Sequence, residues 1–296
     1  MPARTLRSAL HRILSISMAV GLFCTAAFLF SAPVAHAADS NGQIPNFMGI
    51  AWQNLGGTAF KPVPGDTGPG PILQHPDYPY VNDQNKRIAD TNNPILQPWV
   101  KERMDMEVAR VIAGGIPFIP TSRCWPGGVP GLHTYTANVF YLQTEDQVWI
   151  LQMRNEVRRI YLNVEHSEDP GYSWYGKSIG HYENGDTLVI ETIGLDDKGP
   201  IDRLNTPHTR QLHVVERHTL MDNGQTLQVS FTVTDPGAFT MPWRAMMVLG
   251  PETILDENGV QLPVPWQERI CSENVGDYHL TSTDLVPVPY DEIADF

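Results

Sequence analysis

The chain is poor in cysteine and in basic residues. Its 296 residues contain three cysteines, and 20 lysines and arginines stand against 33 aspartates and glutamates, a formal net charge of −13 at pH 7. An acidic surface repels phosphate backbones and anionic lipid headgroups. The composition therefore argues against nucleic acid and against anionic membrane surfaces as partners.

Long apolar runs are confined to the N-terminus. Arginines precede an apolar stretch over 13–30, and Ala35-His36-Ala37 has the small-x-small pattern of a cleavage site. This arrangement is typical of a secretory signal peptide, here residues 1–37, and the alternative is an uncleaved membrane anchor. No second apolar run of spanning length follows. We expect a periplasmic or secreted protein without stable membrane insertion after cleavage.

Two cysteines remain when Cys24 leaves with this segment. Cys124 and Cys271 would then lie in an oxidising compartment, where thiols tend to pair. A disulfide between them is the leading interpretation, and two separated buried thiols are the alternative. A catalytic thiol is disfavoured because neither cysteine has an adjacent histidine in the sequence.

The chain also lacks the short motifs of several enzyme classes. It contains no HExxH or CxxC metal motif, no Walker motif, and no GxGxxG that follows a strand. The stretch Gly176–Gly180 reads GKSIG and has the spacing of a serine nucleophile elbow. Such an elbow needs a helix after the serine, whereas a strand pattern follows here. We therefore expect no cofactor and no nucleophile elbow.

Hydrophobic periodicity divides the chain into a wrap, one helix and a series of strands. Residues 38–93 are rich in proline and glycine, which predicts an irregular segment wrapped over the domain. Pro98–Ala113 has an apolar stripe at helical spacing and ends at a glycine pair. From Asn138 onward the period is two, and the candidate strands are Val139–Gln143, Gln147–Met153, Glu156–Asn163, Ser178–Glu183, Thr187–Gly194, Leu212–Met221, Thr226–Thr234 and Arg244–Gly250.

Short turns join several of these strands, as in Asn184-Gly185-Asp186, and such turns favour antiparallel hairpins. We expect a mainly β fold: an antiparallel meander that closes into a barrel-like (lipocalin-like) domain over 94–280, which includes the leading helix. A flat sheet with this many strands would leave long edges unpaired. An acidic tail, 281–296, follows the domain.

Ionisable side chains occur between apolar ones on three of the strands. Because side chains alternate between the two faces of a strand, one face can bring arginine and carboxylate together in the barrel interior. Paired charges there would be a setting for acid–base chemistry. The alternative is a structural ion-pair network or plain solvent exposure. The candidate catalytic residues are His208, Glu216, Arg217, Arg158, Glu191 and Asp202.

Two of these candidates form the predicted acid–base pair, His208 and Glu216. His208 lies in a Thr-Pro-His-Thr loop beside Asp202, and an imidazole ordinarily titrates near neutrality. We assign Arg158 or Arg217 the stabilisation of negative charge that develops on a substrate.

A metal site is an alternative because histidines cluster in the same part of the sequence. The candidate ligands are His208, His213 and His218, which lie near Glu216. Alternation directs His213 to the face opposite Glu216 and His218, and no paired-histidine metal spacing is present. We therefore predict no metal ligand and keep these three histidines as the alternative set.

Substrate-binding candidates come from one loop and from the aromatic residues. A Pro/Gly-rich loop over 123–130 begins with Arg123, a candidate anion-binding residue. Tyr161, Trp174 and Trp243 are candidates to line a pocket for a small apolar or aromatic molecule. Each of these aromatic residues has the alternative of a place in the core.

Several stretches together resemble a family of exported bacterial proteins of unassigned function. The motifs R-C-x-P-G-G-V-P, V-R-R-I-Y, G-x-S-I-G-x-[WY]-E-x-x-D-T-L-V, P-H-[ST], V-V-E-R, D-P-x-x-[FY]-T-x-P-W and E-x-x-C-x-E occur in this order, at Arg123–Pro130, Val157–Tyr161, Gly176–Val189, Pro207–Thr209, Val214–Arg217, Asp235–Trp243 and Glu268–Asn274. Each motif alone is weak, and together they are specific over Asn92–Asn274. The resemblance implies export and a β-rich domain and carries over no catalytic residue. The chain departs from the family's pattern at His181, where arginine is usual, and at Tyr182, where tryptophan is more frequent.

These observations favour an exported small-molecule enzyme that uses cofactor-free acid–base chemistry, of the lyase, isomerase or hydrolase type, on an apolar or aromatic substrate. The alternative is a non-catalytic periplasmic carrier of a hydrophobic ligand. A carrier predicts a wholly apolar interior with the charged strand faces turned outward. A metal-dependent enzyme is a further alternative.

Overall fold

The computed structural model describes residues 44–79, 87–115, 117–135, 137–152 and 156–266. The predicted signal peptide (1–37), the predicted acidic tail (281–296) and Cys271 lie outside these ranges. Signal cleavage and the disulfide therefore stay predictions. Within the described ranges, no helix has both the length and the apolar character needed to cross a membrane.

Nine strands close into a barrel, which confirms the predicted fold class. Neighbours in the barrel follow chain order, and the last strand pairs with the first. The strands are β1 (Trp52–Asn54), β2 (Val139–Gln143), β3 (Gln147–Gln152), β4 (Glu156–Leu162), β5 (Lys177–Glu183), β6 (Thr187–Ile193), β7 (His213–Met221), β8 (Thr226–Thr234) and β9 (Trp243–Pro251). A separate hairpin, β10 (Thr253–Leu255) and β11 (Gln261–Pro263), follows the barrel.

The barrel departs from the expected antiparallel meander at one pair of strands. β4 and β5 are parallel, with Ile160 opposite Ser178. A parallel pair needs a crossover connection because the chain must return to the starting end, and the long segment between Leu162 and Lys177 supplies it. The other strand pairs of the barrel are antiparallel.

One barrel strand comes from the proline-rich wrap. β1 pairs with β2 on one side and with β9 on the other, so it closes the sheet. Three residues are too few to show a strand period, and the surrounding prolines and glycines predict irregular structure, so the periodicity missed this strand. The wrap is therefore part of the barrel and not only a segment that covers it.

The wrap also contributes aromatic side chains to the core. Phe47, Trp52 and Phe60 are buried, and the Trp52 indole Nε1 donates a hydrogen bond to the Phe47 carbonyl at 3.1 Å. The Phe60 ring lies 4.9 Å from the ring of Phe231 on β8 and 5.9 Å from that of Trp243 on β9. These contacts hold the wrap against the barrel through aromatic burial.

Helix α1 (Pro98–Ile112) lies within the predicted range. Proline in the first turn costs no hydrogen bond because the first helical N–H groups have no intrahelical partner. The helix buries Val100, Met104 and Val111, which belong to its predicted apolar stripe. Its Trp99 indole donates to the Gly237 carbonyl at 2.7 Å, which ties the helix to the connection between β8 and β9.

We expect Trp52→Ala to lower the free energy of unfolding by about 3–5 kcal/mol, because it leaves a cavity at the strand that closes the barrel. The control is Trp99→Ala on the helix surface, where the side chain is 38% exposed and the loss is about 1 kcal/mol, the worth of one hydrogen bond. Urea denaturation followed by tryptophan fluorescence and circular dichroism measures both. Equal losses for the two variants would contradict the role of β1 in closure.

Candidate functional site

A buried ion pair lies inside the barrel, between Arg158 on β4 and Glu216 on β7. The Arg158 Nη2 atom donates to Glu216 Oε2 and also to Thr192 Oγ1, at 2.8 Å. The Arg158 Nε atom donates to Ser178 Oγ at 3.2 Å. Since Ser178 is on β5 and Thr192 is on β6, the guanidinium spans two intervening strands and is bonded to a hydroxyl on each. The expected meeting of arginine and carboxylate in the interior occurs at this pair.

Two imidazoles approach the other oxygen of the same carboxylate. His133 Nε2 lies 3.1 Å and His218 Nε2 lies 3.4 Å from Glu216 Oε1. His218 is two residues beyond Glu216 on β7, so alternation places both side chains on the inner face. His133 enters from a 3₁₀ turn, Gly131–Thr134, which is not part of the barrel wall.

Side chains of the barrel hold this 3₁₀ turn in place. The Asn54 Nδ2 atom on β1 donates to the His133 carbonyl at 2.8 Å, and the Gln152 Nε2 atom on β3 donates to the Leu132 carbonyl at 2.8 Å. The Thr134 hydroxyl donates to the Gly131 carbonyl at 2.7 Å. The position of His133 is thus set by two strands that are neighbours of β2 rather than by the turn alone.

A tyrosine extends the network across the barrel. The Tyr141 hydroxyl on β2 lies 2.7 Å from His218 Nδ1, so both ring nitrogens of His218 have polar neighbours. We call Tyr141, His133, Arg158, Glu216 and His218 the interior cluster. Each of its five side chains belongs to a residue that is at most 1% exposed.

Burial and the opposite charges set the protonation states of the cluster. Burial by itself would raise the pKa of the Glu216 carboxyl, but the Arg158 charge and hydrogen bonds from His133, His218 and Arg158 hold that pKa well below its usual range. Burial lowers the pKa of His218 to about 4, against the pull of Glu216. Burial and then the Glu216 charge raise the pKa of the Tyr141 hydroxyl. Near neutral pH the cluster therefore contains a carboxylate, a guanidinium, a phenol and a neutral His218.

Two buried nitrogen atoms of the cluster have unused hydrogen-bonding capacity in the part of the chain that the structure describes. Among the described residues, neither His133 Nδ1 nor Arg158 Nη1 makes a hydrogen bond, although both atoms are buried. Buried polar atoms in folded proteins are nearly always paired, so each exception calls for an explanation. These atoms mark the places where the cluster has unused hydrogen-bonding capacity.

The candidates on the opposite strand faces do not join the cluster. His213 Nε2 lies 2.8 Å from Glu191 Oε1, and Arg217 Nη2 donates to Glu183 Oε2 at 2.6 Å. All four side chains are between 35% and 44% exposed. Alternation explains this placement, because Arg217 precedes an inward His218 by one residue.

His208 and Asp202 lie in the loop between β6 and β7. The Asp202 carboxylate accepts hydrogen bonds from the backbone N–H groups of Leu204 and Thr206, at 2.9 and 3.1 Å, and from the Thr206 hydroxyl at 2.7 Å. Burial raises the pKa of Asp202 in spite of these bonds. Asp202 therefore stabilises the conformation of this loop.

The predicted acid–base pair is not in contact in this structure. His208 Nδ1 lies 2.9 Å from the Thr209 carbonyl, and among the described residues no hydrogen bond or ion pair joins His208 to Glu216. Burial lowers the pKa of His208. The residue lines a narrow cleft of about 10 Å³ with Trp174 and Gly128, room for about one water molecule.

The binding candidates are distributed over three environments. Trp174 lies at the cleft of His208, and its ring is tilted against that of Trp125, with ring centroids 5.4 Å apart. Trp243 is 1% exposed and belongs to the core, and Tyr161 lies on the outer side of β4 beside Arg159. The backbone of Arg123 ends a 3₁₀ turn, Pro120–Arg123, and its side chain lies outside the description.

Sequence reasoning missed His133 and Tyr141. His133 lies in an irregular loop, where no period indicates which way a side chain points. Tyr141 lies on a correctly predicted strand between Val139 and Gln143 on one face. A polar aromatic residue on that face was the available signal for Tyr141, whereas only the folded turn reveals His133.

No protein family, curated protein or solved structure matches the chain. The resemblance to the exported bacterial family therefore stays a prediction.

We expect Glu216→Gln to lower the free energy of unfolding by about 3–5 kcal/mol, because it leaves the Arg158 charge buried without a counter-ion. Glu191→Gln is the matched control on the outer face and should change it by less than about 1 kcal/mol, since its ion pair is exposed. Urea denaturation monitored by circular dichroism measures both. A double variant, Arg158→Met with Glu216→Gln, should recover part of the loss, and failure to recover any of it would contradict the charge explanation.

Proposed function

We propose that the protein is an exported enzyme that acts on a small molecule, with its reaction centre at the interior cluster. The observation that carries the proposal is the meeting of Arg158, Glu216, His133 and His218 inside a closed barrel. A carrier with an apolar interior has no use for this polar centre. Export depends on the predicted signal peptide over 1–37.

A purely structural ion network is the competing interpretation of the cluster. A buried ion pair is weak evidence for stability, since a well-packed apolar pair of similar volume often stabilises as much. A structural network also tends to pair all of its polar atoms, whereas His133 Nδ1 and Arg158 Nη1 have no partner among the described residues. The unused hydrogen-bonding capacity of these two atoms supports a site that binds a further molecule.

The chemistry that suits this centre is stabilisation of negative charge on a substrate. Ser178, Thr192 and Glu216 hold the Arg158 guanidinium in place, and its Nη1 atom makes no hydrogen bond within the described part of the chain. A preorganised cation in a site without water stabilises an oxyanion or enolate far more than it would in solution. This role fits lyase, isomerase and hydrolase reactions alike.

The surroundings support an apolar or aromatic substrate. Inner-face neighbours of the cluster include Ile160, Leu188, Ile190 and Phe231, which are buried. The cleft with His208 and Trp174 lies where two loops meet. The two loops are close together, since a Cβ atom built on Gly131 would come within 3.2 Å of the Pro200 carbonyl. We propose that a substrate reaches His133 when these two loops separate. His208 lies beside this route and remains the acid–base candidate.

The test is a screen of the full-length chain, expressed and purified, against aromatic acids, esters and enones. Thermal shift identifies binders, and NMR detects their conversion. We expect conversion of at least one binder, and a fall in turnover of about 100- to 1000-fold in Arg158→Lys, which keeps the charge but loses the planar fork. Arg217→Lys on the outer face is the matched control and should turn over like wild type.

Two outcomes would contradict the proposal. Binding of several compounds without conversion of any would favour the carrier. Equal turnover in wild type and Arg158→Lys, with folding confirmed by circular dichroism, would remove the interior cluster from the reaction.

A further inference from the structure

We propose that His133, Glu216 and His218 form a binding site for one divalent transition-metal ion. Each residue offers one ligand atom, and these three atoms lie within 4.8 Å of one another. His133 Nε2 and His218 Nε2 lie 3.1 and 3.4 Å from Glu216 Oε1. In a tetrahedral site with bonds of about 2.1 Å, neighbouring ligand atoms are about 3.4 Å apart, and both distances to Glu216 Oε1 are close to this value.

The donor set indicates which ions fit. Two imidazoles and one carboxylate are typical ligands of zinc and of the other first-row transition metals. Calcium and magnesium prefer sites made wholly of oxygen ligands, so they are poor candidates here. The set differs from His208, His213 and His218, the ligands that the sequence suggested. His218 stays and His133 joins from the 3₁₀ turn, whereas His208 lies in the loop between β6 and β7 and His213 lies on the outer face.

A second layer of contacts orients the side chains of His218 and Glu216 and holds the backbone of His133. The Tyr141 hydroxyl lies 2.7 Å from His218 Nδ1 and leaves Nε2 facing Glu216. Arg158 is bonded to Glu216 Oε2 and leaves Oε1 for the ion. Asn54 holds the carbonyl of His133 at 2.8 Å. Such outer contacts are a regular feature of metal sites because they fix the tautomer and the direction of each ligand.

The charge of the site is compatible with a cation. Arg158 cancels the charge of Glu216, so the three ligands together resemble a neutral set of the kind that three histidines provide, and zinc binds to such sets.

The cluster also has a metal-free interpretation, in which both Nε2–H groups donate to Glu216 Oε1. Metal binding differs from it because coordination at Nε2 requires the proton of each imidazole to move from Nε2 to Nδ1, after which the ion joins the three residues directly. The bound metal itself is the measurable difference. The inference shares its site with the proposed function and does not depend on turnover. A bound ion would polarise a substrate oxygen or generate a hydroxide from bound water, and either chemistry fits the proposed reaction classes.

The experiment measures metal content and metal-induced stabilisation. The full-length chain is purified without chelators and analysed by inductively coupled plasma mass spectrometry. A second portion is stripped by a chelator, and its thermal midpoint is then recorded with added Zn²⁺, Co²⁺, Mn²⁺ or Ca²⁺. We expect about one equivalent of a transition metal, or a rise in the midpoint with a transition metal but not with Ca²⁺.

Variants locate the ion. We expect His133→Ala and His218→Ala to abolish both signals, whereas His213→Ala, on the outer face of the same strand as His218, keeps them. Tyr141→Phe retains all three ligands and should weaken metal affinity by about 10- to 100-fold through loss of the contact to His218. Circular dichroism confirms folding, and Tyr141→Phe keeps the test decisive if an alanine variant does not fold.

Two results would overturn the inference. One is a wild-type protein that neither carries a metal nor gains stability from any of the transition metals. The other is equal metal binding in wild type and in folded His218→Ala. Loss of turnover in Arg158→Lys at unchanged metal content would leave the metal site standing and support the reaction centre, and metal binding without any turnover would contradict only the proposed function.

Discussion

The interior of the barrel depends on the ion pair between Arg158 and Glu216. Taking either charge out of water costs several kcal/mol, and only the partner charge with further hydrogen bonds offsets that cost. Ser178 and Thr192 add hydrogen bonds to Arg158, and the two imidazoles add hydrogen bonds to Glu216. A change at any of these positions therefore acts on the pair as a whole, because each group is bonded to a buried charge.

The pair in turn depends on closure of the barrel. β4 and β7 are not neighbours in the sheet, and curvature brings their inner faces close enough for a guanidinium to bridge them. Tyr141 reaches His218 across the same interior. Closure itself needs β1 from the proline-rich wrap, which also supplies Asn54 to the turn that carries His133. The wrap is thus as much a part of the site as the strands are.

The functional proposals share one physical basis. The interior combines fixed charge, neutral imidazole and an apolar wall at a place without exposure to water. Fixed charge in such surroundings acts strongly on whatever enters, because no solvent reorganises to weaken it. An ion held by His133, Glu216 and His218 and a substrate oriented by Arg158 use different atoms of the cluster, so the two proposals are compatible and separable.

Much of the fold could be predicted from the sequence. Eight of the nine barrel strands and the helix follow from periodicity, with bounds within one residue. The parallel pair was missed because the length of a connection does not show whether the next strand runs parallel or antiparallel. β1 was missed because three residues are too few to show a strand period. The pairing of His208 with Glu216 was proposed from nearness in the sequence, and in this structure the loop instead holds His208 near Trp174.

The sequence by itself determined which side chains share a strand face. Arg158, Glu216 and His218 alternate with outward neighbours, and this period of two is a local property of an extended chain. Only the tertiary structure decided that these faces meet, that β1 closes the barrel, and that a 3₁₀ turn brings His133 to Glu216. The physical reason is distance along the chain: hydrogen-bonding partners 58 to 83 residues apart are joined by closure and packing, which no local pattern encodes.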